Sequence, residues 1–161
     1  MDYPYVPVVR SASLAGYLDL AQSVGLDAHA MLRRAGLSPR SLEDPETPLS
    51  TVAVRALLED SAQASGVEDF ALRLAGRRQL SNLGPISLVL KEEPTARAAL
   101  DTLCRYLRLL NASLLTRIEE HGERLVIREE ILVEQTASTR QSMELAVGVM
   151  YRIVRPQQRA R

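Results

Sequence analysis

The chain has 161 residues, enough for one domain with a sizeable hydrophobic core. Its 20 basic residues balance its 20 acidic ones, which argues against a surface built mainly to bind nucleic-acid phosphates. The single cysteine, Cys104, excludes an internal disulfide framework. No apolar run approaches the roughly 18 residues of a membrane span, and the N-terminus does not resemble a signal peptide. We therefore expect a soluble, cytoplasmic protein.

The first half of the chain predicts four helices separated by glycine stops. SASLAGYLDLAQSVG begins with a serine of the N-cap type, Ser11 or Ser13, and DAHAMLRRAG repeats the pattern with Asp27 as the cap. After a Pro-rich acidic loop, Ser50 is expected to cap a longer helix and Asp69 a shorter one.

The stretch LSNLGPISLVLKEEPT, residues 80–95, contains two closely spaced helix-breaking motifs. Gly84-Pro85 and Pro94-Thr95 bracket an apolar core, which predicts a short helix because proline at a first helical position sacrifices no hydrogen bond. Thr95 can cap the next helix, ARAALDTLCRYLRLLN. One stripe of that helix is apolar and comprises Leu100, Leu103, Leu107 and Leu110.

The pattern then changes from helical to alternating and back. Residues 114–133 alternate on either side of His121-Gly122-Glu123, which predicts a β-hairpin with Ile118 and either Val126 or Ile127 facing the core. A final helix up to Pro156 follows, and one face of it carries Met143, Val147, Met150, Tyr151 and Val154. The predicted fold class is α+β and predominantly helical, with helices around one antiparallel β-hairpin.

Reactive side chains are not gathered at the spacing that catalysis or metal binding requires. His29 and His121 have no acidic or cysteine partner at ligand spacing, and Cys104 lies mid-helix, where it is expected to pack as a small apolar residue. Adjacent acids such as Glu129-Glu130 are expected on a solvated face. The sequence contains no glycine-rich phosphate loop. We expect neither an enzyme nor a metal or cofactor site.

One alternative is DNA recognition by residues 17–39, which have a helix–turn–helix rhythm. The second helix would lead with Asp27, and an acid there faces phosphates unfavourably. A structural helix pair is the other interpretation of the same residues.

The whole chain resembles the N-terminal effector domain of AraC/XylS-type transcriptional regulators, in the subgroup labelled "arabinose-binding". The opening VPVVRSASLAGYLDLAQSVGLDAHAMLRRAGLSPRSLEDPETPLS is similar to the start of that family. The stronger similarity covers residues 80–114, and Glu93 departs from it because a small residue usually precedes the proline there. The residues that follow the family pattern are Gly84, Pro85, Pro94, Thr95, Ala99, Leu100, Tyr106, Leu107 and Asn111.

The resemblance implies that residues 1–161 are a partial effector-binding and dimerisation domain. Its partners would be an unknown small-molecule effector, a second copy in a homodimer, and DNA only through a C-terminal helix-turn-helix domain that these residues do not include. The short helix, the longer helix and the hairpin could together wall a mostly apolar pocket. The candidate ligand-binding residues are Ser81, Asn82, Tyr106 and Asn111.

Two alternatives stay open at the sequence level. Tyr106 could be an ordinary residue of the core edge and Asn111 a helix C-terminal residue. The domain could also be a protein–protein interaction module that binds no effector, in which the apolar face at 143–154 serves a dimer or packs against another segment.

Overall fold

The computed structural model describes residues 7–132 and 138–158, and the side chains up to Arg155. This part of the chain is mostly helical and carries two small antiparallel sheets, which confirms the predicted fold class. The helices are α1 (Tyr17–Ser23), α2 (Ala28–Arg34), α3 (Thr51–Ser65), α4 (Phe70–Arg77), α5 (Ile86–Glu92), α6 (Ala96–Leu110) and α7 (Arg140–Gln158). The strands are β1 (Val8–Arg10), β2 (Pro48–Ser50), β3 (Leu114–His121) and β4 (Arg124–Ile131).

Three of the five expected side-chain caps form, and neither Ser11 nor Ser13 makes a side-chain cap hydrogen bond at the start of α1. The side chains of Asp27, Ser50 and Thr95 accept hydrogen bonds from backbone N–H groups at the starts of α2, α3 and α6. Asp69 occupies the N-cap position of α4 but makes no such bond, because its carboxylate pairs with Arg73 instead. The prediction for Asp69 was therefore wrong in its hydrogen bond and right in its position.

The start of α4 is completed from elsewhere in the chain by Gln141, the second residue of α7. Its Oε1 accepts from the N–H of Ala71 at 2.9 Å, and its Nε2 donates to the carbonyl of Glu68 at 2.7 Å. Gln141 is 2% exposed, so these bonds are shielded from water. They fix α7 against α4.

The predicted hairpin forms between β3 and β4, with its turn at Gly122. Ile118 and Ile127 are opposite each other in the register and both pack on the core, as expected. Val133, the last residue of the predicted hairpin, lies outside the described residues. The last helix was expected to end at Pro156 but continues to Gln158.

Two features at the N-terminus differ from the prediction. Residues Ser11–Leu14 form a 3₁₀ turn rather than the first turn of α1, because Gly16 at φ 83° interrupts the helical path. Strands β1 and β2 form a second small antiparallel sheet, which pairs Val9 with Leu49. Three-residue strands are too short to show an alternating pattern in the sequence.

The hydrophobic core consists of two clusters that α7 connects. The first lies among α1–α4 and centres on Tyr17 and Phe70, whose rings meet edge to face at 6.0 Å. The second lies among α5, α6 and the β3–β4 hairpin. Helix α7 contributes Leu145 to the first cluster and Met150 to the second.

Candidate ligand-binding site

A cavity of about 100 Å³ is lined by residues from both hydrophobic clusters. Strand β1 and helix α3 contribute one side, helix α6 and strand β4 another, and helix α7 runs along it. Most of the wall is apolar, as is usual for small-molecule sites. The apolar residues include Val54, Leu58, Leu83, Leu103, Leu107, Leu145, Val149, Met150 and Ile153.

Arg10 and Asn82 form one polar part of this wall. The guanidinium of Arg10 donates to the backbone carbonyl of Asn82 at 3.2 Å and also pairs with Glu46. The side chain of Asn82 accepts from the N–H of Gln79 at 2.7 Å. The positive charge of Arg10 is thus already balanced by an acid.

Arg78 also lines the cavity, directly after the end of α4. Its Nε is buried and has no hydrogen-bond partner among the described residues. Burial lowers the pKa of Arg78 to about 10, and the nearby charge of Arg10 contributes to the decrease. The group remains protonated at neutral pH, so the cavity wall contains a cation whose buried N–H is unsatisfied.

Glu129 lies in the wall contributed by β4. Burial raises its pKa from 4.5 to about 7, although the hydroxyl of Thr116, its partner in the β3–β4 register, offsets part of the increase. The sequence prediction placed this carboxylate on a solvated face. The alternation of β4 instead puts it on the same side as Ile127, and that period-2 pattern was the signal available in the sequence.

Asn111 lies at the opposite end of α6 from Thr95 and lines the cavity. Its Oδ1 accepts from both the N–H and the hydroxyl of Ser113, at 3.0 and 2.8 Å. Its backbone forms an isolated bridge with Val9 of β1. Asn111 therefore joins the N-terminal sheet to the end of the helix, and its side-chain oxygen is already engaged.

The structure brings together two of the four residues predicted to bind a ligand. Asn82 and Asn111 line the cavity, whereas Ser81 and Tyr106 do not. Ser81 is exposed in the 3₁₀ turn Leu80–Leu83, and Tyr106 is 38% exposed on α6. The cavity also includes Arg10, Arg55 and Arg78, which no sequence pattern distinguishes from the other arginines.

The five residues predicted on one face of α7 divide between two environments. Met150 is buried in the second cluster, Val154 packs against that cluster, and Met143 is half-buried. Val147 and Tyr151 are 51% and 61% exposed. Only these last two remain available for a partner surface.

The side chains considered for chemistry do not converge in the described ranges. His29 and His121 are both exposed, and Cys104 is half-buried in α6. Residues 7–132 and 138–158 contain no cluster of three or more histidine, cysteine or acidic residues able to hold a metal ion. None of the helices in these ranges is long and apolar enough to span a bilayer.

Comparison with known proteins shows which family the chain belongs to. Residues 25–159 match the family model described as the arabinose-binding domain of AraC transcription regulators, N-terminal part. The chain belongs to this family.

Two curated relatives of this AraC-type domain come from Mycobacterium tuberculosis, strains CDC 1551 / Oshkosh and H37Rv. Both are described as the HTH-type transcriptional regulator VirS, and both are 29% identical over 160 residues. The alignment covers 96% of this chain and 47% of each relative, so the chain spans about half the length of the curated relatives it matches.

The Gly84-Pro85 motif of this AraC-type domain has a packing role beside the cavity. Gly84 has φ 66°, and a Cβ there would lie 2.7 Å from Nη2 of Arg10 and 3.4 Å from Oε1 of Glu46. Glycine therefore lets the Arg10–Glu46 pair rest directly on the backbone that enters α5. The sequence motif positions a polar residue of the cavity without contributing a side chain to it.

Proposed function

We propose that this domain senses a small-molecule effector in the cavity and thereby controls how a C-terminal domain of the full-length AraC-type regulator binds DNA. The observation that carries this proposal is the cavity itself, because it is lined by both hydrophobic clusters and holds a few polar groups in a mostly apolar wall.

An effector can act here only if it favours one arrangement of the domain over another. A molecule in the cavity contacts α3 of the first cluster, α6 of the second, and α7, which connects them. Filling the cavity would therefore stabilise one relative position of the two clusters. A change in the relative position of the two clusters is the physical means by which ligand binding would alter a DNA-binding domain.

The sensing proposal is tested by blocking the cavity. Ala146 of α7 lines it, so Ala146→Leu would place three additional carbon atoms in about 100 Å³. The experiment screens sugars including arabinose, amino acids and short carboxylates by thermal shift on the full-length regulator. Each stabilising compound is then tested for its effect on binding to the DNA upstream of the regulator's own gene.

We expect at least one compound to stabilise the wild type and change its DNA affinity, and Ala146→Leu to lose both responses while still binding DNA. Ala64→Leu is the matched control, since Ala64 is exposed on α3 and absent from the cavity wall. A screen without any stabilising compound, or an Ala146→Leu variant that responds like the wild type, would refute sensing at this cavity.

We further propose that the domain self-associates through the exposed surface of α4 and α7. Leu72, Val147 and Tyr151 are 43%, 51% and 61% exposed there, beside a shallow groove that Gly76 and Gly148 help to form. Exposed apolar clusters of this kind often mark protein interfaces. The same surface supports the second candidate function, an interaction module without an effector, and the cavity screen separates the two.

A further inference from the structure

We propose that the effector is a small organic anion, whose carboxylate binds Arg78 and whose short apolar part packs in the cavity. This inference rests on the proposed sensing function and adds to it the chemical class of the ligand. Three features of the cavity lead to it: an unsatisfied cation, the distribution of charge, and the nature of the wall.

The unsatisfied cation is Arg78. Its Nε–H is buried without an acceptor in the described part of the chain, and a buried N–H left unpaired is destabilising. No acid of that part lies within ion-pair distance of the Arg78 guanidinium. A carboxylate satisfies both deficits at once, because it can accept two parallel N–H bonds from one guanidinium.

The charge of the whole wall also favours an anion. Arg10, Arg55 and Arg78 line the cavity together with a single acid, Glu129. Arg10 is neutralised by Glu46, while Arg55 and Arg78 form no ion pair with the described residues. Glu129 does not compensate them fully, because burial raises its pKa to about 7 and much of it is protonated at neutral pH.

The remainder of the wall sets the size and polarity of the ligand. Leucine, isoleucine, valine, methionine and alanine side chains make up the apolar part of the wall, and none of the described lining residues is aromatic. Three of the polar lining side chains are already engaged, Arg10 with Glu46, Asn82 with the N–H of Gln79 and Asn111 with Ser113. They therefore do not offer these bonds to the several hydroxyls of a sugar, which disfavours a sugar. Because a cavity of about 150 Å³ holds benzene, the present cavity of about 100 Å³ suits an apolar part of roughly four carbon atoms.

The test uses butyrate and isovalerate as probes, with butyramide and isovaleramide as uncharged analogues of the same shape. Sodium chloride at matched ionic strength controls for nonspecific anion effects, and arabinose is the sugar probe. Binding to the full-length regulator is measured by calorimetry and by thermal shift. Wild type is compared with Arg78→Met and with Arg73→Met, whose guanidinium is exposed on α4 and paired with Asp69.

We expect the carboxylates to bind the wild type and Arg73→Met alike, and to bind Arg78→Met at least about tenfold more weakly. The amides, chloride and arabinose should produce no comparable stabilisation. Arg78→Met should also unfold at the same or a higher temperature without ligand, since it removes a buried N–H that has no acceptor in the described part of the chain. The unfolding temperature of Arg78→Met is measured without any ligand, so it tests the role of Arg78 independently of the probes.

Several outcomes would overturn the assignment: no binding by either carboxylate, amides that bind as well as acids, chloride that reproduces the effect, or Arg78→Met that binds normally. Failure of the broader function looks different. Carboxylates that bind through Arg78 without changing DNA affinity would leave the site in place and refute sensing. A neutral compound that binds in the cavity and changes DNA affinity would support sensing and refute the anion.

Discussion

Glu129 shows how one side chain of the cavity can make the stability of the fold depend on pH. Its pKa is about 7 in the fold, against an ordinary value of 4.5, because burial disfavours the charged form. Between these values the folded chain binds more protons than the unfolded chain. The free energy of unfolding contributed by this residue is therefore fully present below about pH 4.5 and is lost as the pH rises through about 7.

We expect Glu129→Gln to remove this dependence. The wild type should lose up to about 3 kcal/mol more than the variant between pH 4.5 and 8, from the 1.36 kcal/mol that corresponds to one pKa unit. Urea unfolding at a series of pH values measures the difference. Glu130→Gln is the matched control, because Glu130 is adjacent to Glu129 in β4 and its side chain is exposed. Parallel pH profiles for wild type and Glu129→Gln would contradict the assignment.

The residues that line the cavity were only partly predictable from the sequence. Asn82 and Asn111 were predicted as ligand-binding residues because they stand near the two ends of the motif at residues 80–114. Both line the cavity, and their contact with a ligand stays a prediction. Tyr106 lies outside the cavity wall, because it is at the edge of the inward face of α6 that Leu103 and Leu107 define, where it is 38% exposed. Arg78 gave no signal, because 19 of the 20 basic residues are arginine and its burial depends on tertiary packing.

At the level of elements, α7 packs closely against α4 at Gly148. A Cβ at this position of α7 would lie 2.6 Å from Cβ of Ala75 and 3.4 Å from Cδ2 of Leu72, both on α4. Gly148→Ala would thus force the two helices apart. Overpacking costs about 1–3 kcal/mol, whereas the higher helix propensity of alanine returns roughly 0.5–1 kcal/mol.

We therefore expect Gly148→Ala to lower the free energy of unfolding by about 1–2 kcal/mol in urea titrations. Gly76→Ala is the matched control in α4, because a Cβ there meets nothing within 4 Å and should leave the fold equally or more stable. Ala75→Gly should partly rescue Gly148→Ala by removing the opposing methyl group. Equal stabilities for Gly148→Ala and Gly76→Ala would refute the close contact.

Local signals predicted the elements well where they were long or capped. Helices α3 and α6 followed from apolar periodicity together with Ser50 and Thr95, and the hairpin followed from alternation around Gly122. The β1–β2 sheet could not be predicted, since it joins three-residue strands about 40 positions apart. The cap of α4 by Gln141 was equally hidden, because its partners are 70 or more residues distant in sequence.

On the scale of the whole molecule, α7 has two apolar sides, although its sequence predicts one apolar face. Its inner side connects the two hydrophobic clusters through Leu145 and Met150, and its outer side exposes Val147 and Tyr151 beside α4. The same helix could therefore couple the contents of the cavity to a surface shared with a second copy. We therefore propose ligand-dependent self-association as the form of control, which rests on both the proposed sensing and the proposed self-association.

This coupling predicts the effect of a charge on the outer side of α7. We expect Val147→Asp to weaken self-association of the full-length regulator by about tenfold or more, because an interface centre tolerates an unpaired charge poorly. Leu109→Asp is the matched control, since Leu109 is 70% exposed on α6, away from the α4–α7 surface. Sedimentation velocity over a range of protein concentrations measures both variants. A wild type that stays monomeric throughout would reject self-association, and equal effects of both variants would move the interface away from α7.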